Sequence, residues 1–179
     1  MKTIITSSSK KLIFRQIKPS DLKSVYSWVK DIEKEDTFIM LNADEPTSFK
    51  EEKEYFRDLF KKTKQKKLVK IAVFDGKKYL GSCDIEKGGK RQGHIGIFGI
   101  VLSKECRGQG IGFRLARETI KLAQTKLGIK KIVLNCFANN KIGISFYKKL
   151  GFKQNRRDPQ AVFYQGKYVD TIWFYKDLS

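Results

Sequence analysis

The chain has 179 residues and carries 38 Lys and Arg against 19 Asp and Glu, a formal net charge of +19, with 40% hydrophobic and 12% aromatic residues. This composition is too apolar for a disordered chain, and the length predicts one domain over residues 1–179 that folds alone. The longest apolar run, Ile95 to Leu102, falls short of the ~20 residues that span a bilayer, and the opening MKTIITSSSKKL lacks the apolar centre of a secretion signal, so a cytoplasmic protein with no membrane contact is expected.

Cys83, Cys106 and Cys136 form no Cys-x-x-Cys pair and His94 is the single histidine, so neither a disulfide framework nor a metal site is expected. The excess of positive charge has two readings. It suits nucleic acid, an acidic partner or a phosphate-bearing ligand, or it is a solvated lysine surface; the densest run, Lys61 to Lys67, has no interleaved aromatic for base stacking.

Taken in chain order, Leu12 to Ile17 alternates as a strand. Pro19, Ser20 and Asp21 open a helix that continues to Ile32, and the following segment through Pro46 reads as a loop. Ser48 and Glu51 have capping-box spacing for a helix reaching about Lys64, with Phe49, Phe56, Leu59 and Phe60 as its apolar stripe. A hairpin of Leu68–Phe74 and Tyr79–Glu86 turns at Asp75-Gly76, the pair read as supplying positive dihedral angles. Further on come strand His94–Leu102, helix Ile111–Lys126, strand Lys131–Phe137, helix Lys141–Leu150, and closing strands near Phe152–Asn155 and Tyr168–Tyr175.

The informative stretch is VLSKECRGQGIGFRLARETIKLA, Val101 to Ala123, where a buried strand passes through a glycine-rich turn into a helix. Free amide groups at a positive helix N-terminus suit a phosphate. Gly108 and Gly110 admit a pyrophosphate to the backbone, Gly112 allows close packing of the first helical turn, and Arg107 adds charge; packing alone is the competing explanation for such glycines. The mononucleotide loop is excluded because Phe113 and Arg114 follow Gly112, and the dinucleotide fingerprint because Phe113 stands where its last glycine belongs.

Arg107, Gly110 and Gly112 resemble the Arg/Gln-x-x-Gly-x-Gly/Ala pyrophosphate loop of the GCN5-related N-acetyltransferases. Downstream, NNKIGISFYKKLGF resembles a later motif of that family at Asn140, Gly143, Ile144, Tyr147, Gly151 and Phe152. The resemblance implies an α/β fold with a mixed, mostly antiparallel central sheet splayed into a V and helices on both faces. Acetyl-CoA would lie in the split, against Ile100, Val101 and Leu102, with Arg107, Gly108, Gln109, Gly110, Ile111 and Gly112 around its phosphates. Gly96 and Gly99 within the preceding strand indicate a bulge or the close approach of a ligand, with crowding by a neighbouring element as the alternative.

By the same resemblance Tyr147 both contacts the cofactor and protonates the leaving sulfur, while Asn140 either bonds the CoA arm or caps its helix. The family often keeps a Glu on the strand before the loop, and this chain has none there. Glu86, Asp84 or a water chain are the remaining candidates for the base. Gly166, Tyr168 and Asp170 resemble the closing segment of the ribosomal-protein N-terminal and spermidine acetyltransferase branch, with Asp170 orienting an amine or holding its strand. The expected function is acetyl transfer to a primary amine, first a protein N-terminus and alternatively a small amine or polyamine, with a basic nucleic-acid-binding domain or a non-catalytic CoA-binding domain as the readings of another class. Ribosome or nucleic-acid association through the basic surface, and a monomer or homodimer, complete the expectations.

Overall fold

The computed structural model describes residues 2–5, 11–41 and 43–178. Among them the strands are β1 (Lys2–Ile5), β2 (Lys11–Arg15), β3 (Leu68–Asp75), β4 (Lys78–Lys87), β5 (Ile95–Leu102), β6 (Lys131–Phe137), β7 (Lys153–Tyr164) and β8 (Lys167–Asp177). The helices are α1 (Leu22–Lys34), α2 (Phe49–Lys64), α3 (Ile111–Leu127) and α4 (Lys141–Lys149). The strands form one sheet in the order β1-β2-β3-β4-β5-β6-β8-β7, with every neighbouring pair antiparallel except β5 and β6.

Alternation along the strands divides two hydrophobic cores between the faces of this sheet. On one face Val69, Val73, Cys83, Ile85, Phe98, Ile132, Leu134 and Phe174 pack under Leu115, Ala116 and Ala123 of α3, with Ile144, Phe146 and Tyr147 of α4 at the edge. On the other face Ala72, Phe74 and Tyr79 meet Val25 and Val29 of α1 and Phe56 and Leu59 of α2. Helices therefore cover both faces. Removing a fully buried side chain such as Phe174 would cost about 3–5 kcal/mol, because a close-packed interior refills poorly.

Local chemistry explains most boundaries. Ser48 Oγ accepts from Glu51 N at 3.2 Å and Glu51 Oε2 accepts from Ser48 N at 2.8 Å, closing the capping box of α2. Phe49 of its expected stripe stays 42% exposed, however, and stacks on Tyr26 instead of entering the core. Pro19–Asp21 forms a 3-10 turn and α1 proper begins at Leu22, because Asp21 is held by Arg15 at 2.7 Å and by Lys18 N at 2.7 Å. Asp75 pairs with Lys78, so the β3–β4 turn is Gly76-Lys77, with Gly76 at φ 55°. This corrects the assignment of positive dihedrals to Asp75.

The closing hairpin is much longer than the sequence suggests. β7 runs through Pro159 to Tyr164, turning at Gln165 (φ 49°) and Gly166 (φ 77°). Register breaks between Gln154 and Arg156 and between Asp158 and Val162 erase the alternation that would have marked it. Strand β1 also escaped the sequence reading; it is short and pairs only with β2.

Candidate active site

Strands β5 and β6 run parallel and pair at Ile95 with Lys131, Gly96 with Ile132 and Ile97 with Val133. From Phe98 and Leu134 onward they have no shared ladder, although β4 still holds β5 as far as Leu102 and β8 holds β6 as far as Phe137. The sheet thus opens into a V whose inner edges are no longer paired strand to strand, where an extended ligand arm can add hydrogen bonds. Ile100, Val101 and Leu102 line this split.

The two strand glycines have different causes. A Cβ on Gly96 would stand 2.6 Å from Ile85 Cγ2 and 3.1 Å from Ile129 Cγ2, so crowding by neighbours requires that glycine. At Gly99 the nearest atom would be Asp84 Oδ2 at 3.5 Å, which leaves room above the strand at the mouth of the split.

Beyond β5 the chain makes a 3-10 turn over Lys104–Cys106 and enters α3 through Gly110, whose φ of 72° is left-handed; Gly108 has φ 74°. No side chain caps α3, and its first backbone bond runs from Arg114 N to Gly110 O at 3.2 Å. The amides of Ile111, Gly112 and Phe113 therefore lie ahead of the ladder at the positive end of a long helix, and a Cβ at Gly108 or Gly110 would meet nothing within 4 Å. Exposed, uncapped amides with no side chain in the way fit a pyrophosphate. Gly112 answers to packing: its Cβ position lies 3.3 Å from Leu102 Cδ1 and 3.6 Å from Phe146 Cε2, where β5, α3 and α4 converge.

Two residues expected on the phosphates are committed elsewhere. Arg107 donates Nε to Leu102 O at 2.8 Å and Nη2 to Glu35 at 2.7 Å, tying the loop to the end of α1. Gln109 donates its side-chain amide to Glu105 O at 2.6 Å. In this arrangement the fit to a phosphate rests on the backbone amides. Cys106, adjoining the loop, is 2% exposed and belongs to the core under α3.

Across the split, α4 begins at Asn140, whose Oδ1 accepts from Gly143 N at 2.8 Å. Of the two roles expected of Asn140, the cap is present. Tyr147 is half-buried, with its ring centroid 6.2 Å from Phe98, 6.2 Å from Phe152 and 6.0 Å from Phe174. Burial, with smaller contributions from Cys136 and Cys83, pushes its phenol well above the ordinary tyrosine range. The Cys136 thiol on β6 is itself pushed up to about 11 by burial. Tyr147 accordingly stays protonated, as a proton donor must.

The candidates for a base separate clearly. Glu86 is level with Ile97, where β5 and β6 are still paired, and its carboxylate sits on Lys62 at 2.8 Å. Glu86 thus lies below the opening and is ion-paired, which argues against it as the base. Asp84 is level with Gly99 at the opening, but Lys70 stands 3.3 Å from its Oδ1. Asp170 accepts from Arg157 Nε at 2.6 Å and Gln160 N at 2.9 Å, so it holds the irregular part of β7. Sequence reasoning missed Lys70, whose position in an apolar strand, opposite Asp84 in the hairpin register, was its one signal.

Among the described residues no group of His, Cys, Asp and Glu could hold a metal ion, and no helix is long and apolar enough to cross a membrane. The model of the acetyltransferase (GNAT) family matches residues 25–152, which include the split, the loop and Tyr147. The chain belongs to the GNAT family. It is 30% identical over 83 residues to L-amino acid N-acetyltransferase AaaT of Escherichia coli (46% of this chain, 51% of that protein) and 32% identical over 91 residues to N-alpha-acetyltransferase 30 of Schizosaccharomyces pombe (49% and 59%). The chain thus spans about half the length of the curated relatives it matches.

Solved structures share the GNAT fold over nearly the whole chain. A GNAT acetyltransferase from Streptococcus pneumoniae superposes with TM-score 0.82 at 21% identity, covering 93% of this chain and 99% of that one. Ribosomal-protein-S5-alanine acetyltransferase from Vibrio fischeri gives 0.81 at 19% (93% and 92%). Spermidine N-acetyltransferase from Vibrio cholerae, with CoA and spermine, gives 0.76 at 21% (93% and 95%).

Proposed function

We propose that this GNAT protein is an acetyl-CoA-dependent N-acetyltransferase whose acceptor is the α-amine of a protein or peptide N-terminus. The observation that carries the reading is the parting of β5 and β6 beside a glycine loop that leaves the amides of Ile111 to Phe113 uncapped. Acetyl-CoA supplies a thioester that a neutral amine can attack, forming the C–N bond, breaking the C–S bond and passing the amine's proton to water. The inner edge of Ile100–Leu102 holds the pantetheine arm, and the amides following Gly110 hold the phosphates. Tyr147 gives its phenol proton to the departing sulfur and recovers one from solvent.

The acceptor class follows from charge. An α-amine with pKa about 7.7–8.0 is substantially neutral near pH 7.5, whereas a lysine amine at about 10.4 needs a strong base, and the carboxylates nearest the split are ion-paired. The net charge of +19 repels polycations at long range. The same surface would draw the enzyme to a nucleoprotein carrying nascent or assembled chains, with capture falling steeply as salt rises. The names of an N-alpha-acetyltransferase and a ribosomal-protein acetyltransferase among the matches support this acceptor, while those of AaaT and the spermidine enzyme support the alternative of a small amine.

The test is CoA release from acetyl-CoA with N-terminal peptides, a lysine peptide with a blocked N-terminus, and spermidine. Preference for the N-terminal peptides is expected. Preferred acetylation of spermidine would overturn the acceptor, and no CoA release above buffer with any amine would overturn catalysis.

A further inference from the structure

On the α1/α2 face, the registers place Lys70 of β3, Asp84 of β4 and Gly99 of β5 in one row across the sheet, and the row ends where β6 departs. Lys70 is largely buried, its side chain 11% exposed, while that of Asp84 is 30% exposed. Lys70 Nζ donates to Tyr55 OH at 2.7 Å and approaches Asp84 Oδ1 at 3.3 Å, and Oδ2 is the atom nearest the vacant Cβ position of Gly99. One edge of the carboxylate therefore rests on a buried cation while the other lies over the glycine, at the level where β5 and β6 part.

We propose that the acceptor amine enters over Gly99 and that Lys70 is a specificity-determining residue there: its ammonium offsets the Asp84 carboxylate before substrate arrives, so that the opening takes amines that enter uncharged and discriminates against polycations such as polyamines. The inference rests on the N-acetyltransferase reading given above. Charged and titratable groups face Lys70 from each packed element: Asp84 and Tyr79 from β4, Tyr55 and Glu52 from α2, and Glu33 of α1 acting on Glu52. Burial opposes the Lys70 charge, but Asp84 first, then Tyr79 and Tyr55, hold the ammonium above the ordinary lysine range. Glu33 is taken up by Lys30 at 2.6 Å and Thr47 N at 2.7 Å, and the buried Glu52 carboxyl is pushed up by desolvation, so neither replaces Asp84 as partner.

The same pairing recurs on this face. Glu86 lies 2.8 Å from Lys62, and Asp158, which accepts from Trp173 Nε1 at 2.6 Å, lies 2.9 Å from Arg156. A site built to collect polycations needs carboxylates whose charge is unspent; here those projecting from β4 and β7 already have cations beside them.

Removing the cation should uncover the discrimination. In K70M the side chain keeps its length, so the bare Asp84 carboxylate faces the opening and the ratio of kcat/KM for spermidine to that for an N-terminal peptide should rise about tenfold, equivalent to about 1.4 kcal/mol. D84N should show no rise, and K70M/D84N should return to the wild-type ratio, because Lys70 acts through Asp84. Since the ratio is taken within one preparation, partial misfolding cancels. Tyr55→Phe, which loosens Lys70 without removing charge, should raise the ratio by a smaller factor. An unchanged ratio in K70M, or a rise that persists in K70M/D84N, would overturn the role of Lys70 while leaving acetyl transfer standing. Absence of turnover in the wild type with every amine would instead overturn the reading on which it rests.

Discussion

Gly110 and Gly128 stand at opposite ends of α3 with nearly the same backbone, φ 72° and φ 66°, and a Cβ added to either meets nothing within 4 Å. Alanine at each position incurs the same penalty, about 1–2 kcal/mol for placing a Cβ in the left-handed region, offset by about 0.4–1 kcal/mol of lost unfolded-chain entropy. Both variants should thus lose about 1 kcal/mol, a fall in Tm of about 2–4 °C for a chain of this size. They differ in what the new methyl faces. A methyl at Gly110 stands beside the uncapped amides of Ile111 to Phe113 that would receive the pyrophosphate; at Gly128 it stands at the far end of the helix, away from them.

Acetyl-CoA at a hundred times the wild-type Kd adds about 2.7 kcal/mol, a rise in Tm of about 5–10 °C. A tenfold loss of affinity in Gly110→Ala cuts that to about 1.4 kcal/mol at the same ligand concentration, halving the rise, whereas Gly128→Ala should keep all of it. Thermal denaturation of the three proteins with and without acetyl-CoA reads this directly. A full ligand-induced rise in Gly110→Ala, or an equal loss in Gly128→Ala, would show that the loop does not hold the phosphates.

Removing the hydroxyl in Tyr147→Phe should leave the ring packing and acetyl-CoA affinity nearly intact and lower turnover about 10²-fold; turnover within a factor of about two would make Tyr147 a packing residue. Because burial raises its phenol, wild-type turnover should show no alkaline decline attributable to Tyr147 up to about pH 10. Glu52 is 5% exposed, its Oε1 has no hydrogen-bond partner, and desolvation raises its carboxyl above the ordinary 4.5. A raised folded-state value means its contribution is fully present below 4.5 and lost as pH rises through the folded value, so Glu52→Gln should add about 1 kcal/mol at pH 7 and nothing near pH 4. Urea unfolding at both pH values checks it, and equal effects at the two would refute the assignment.

The sequence by itself determined the parts of this protein that depend on neighbours along the chain. The capping box Ser48–Glu51, strand Lys131–Phe137, the glycine loop at Arg107–Gly112 and the Asn140 motif are short-range chemistry, in which backbone conformation follows from residue type within a few positions. What needed the fold was every statement about which side chains meet. Residue type could not say that Arg107 would be drawn to Glu35, far back in the chain, or that Asn140 Oδ1 would be spent on a cap. It offered Asp84 and Glu86 as equals, since they sit two apart on one strand face. Only the point at which β5 and β6 part, just past Ile97 and Val133, leaves Glu86 under closed sheet and Asp84 at the opening. That Asp84 has a cation beside it was likewise undecided until β3 brought Lys70 there, because an ion pair between strands is set by register and by the helix that buries it.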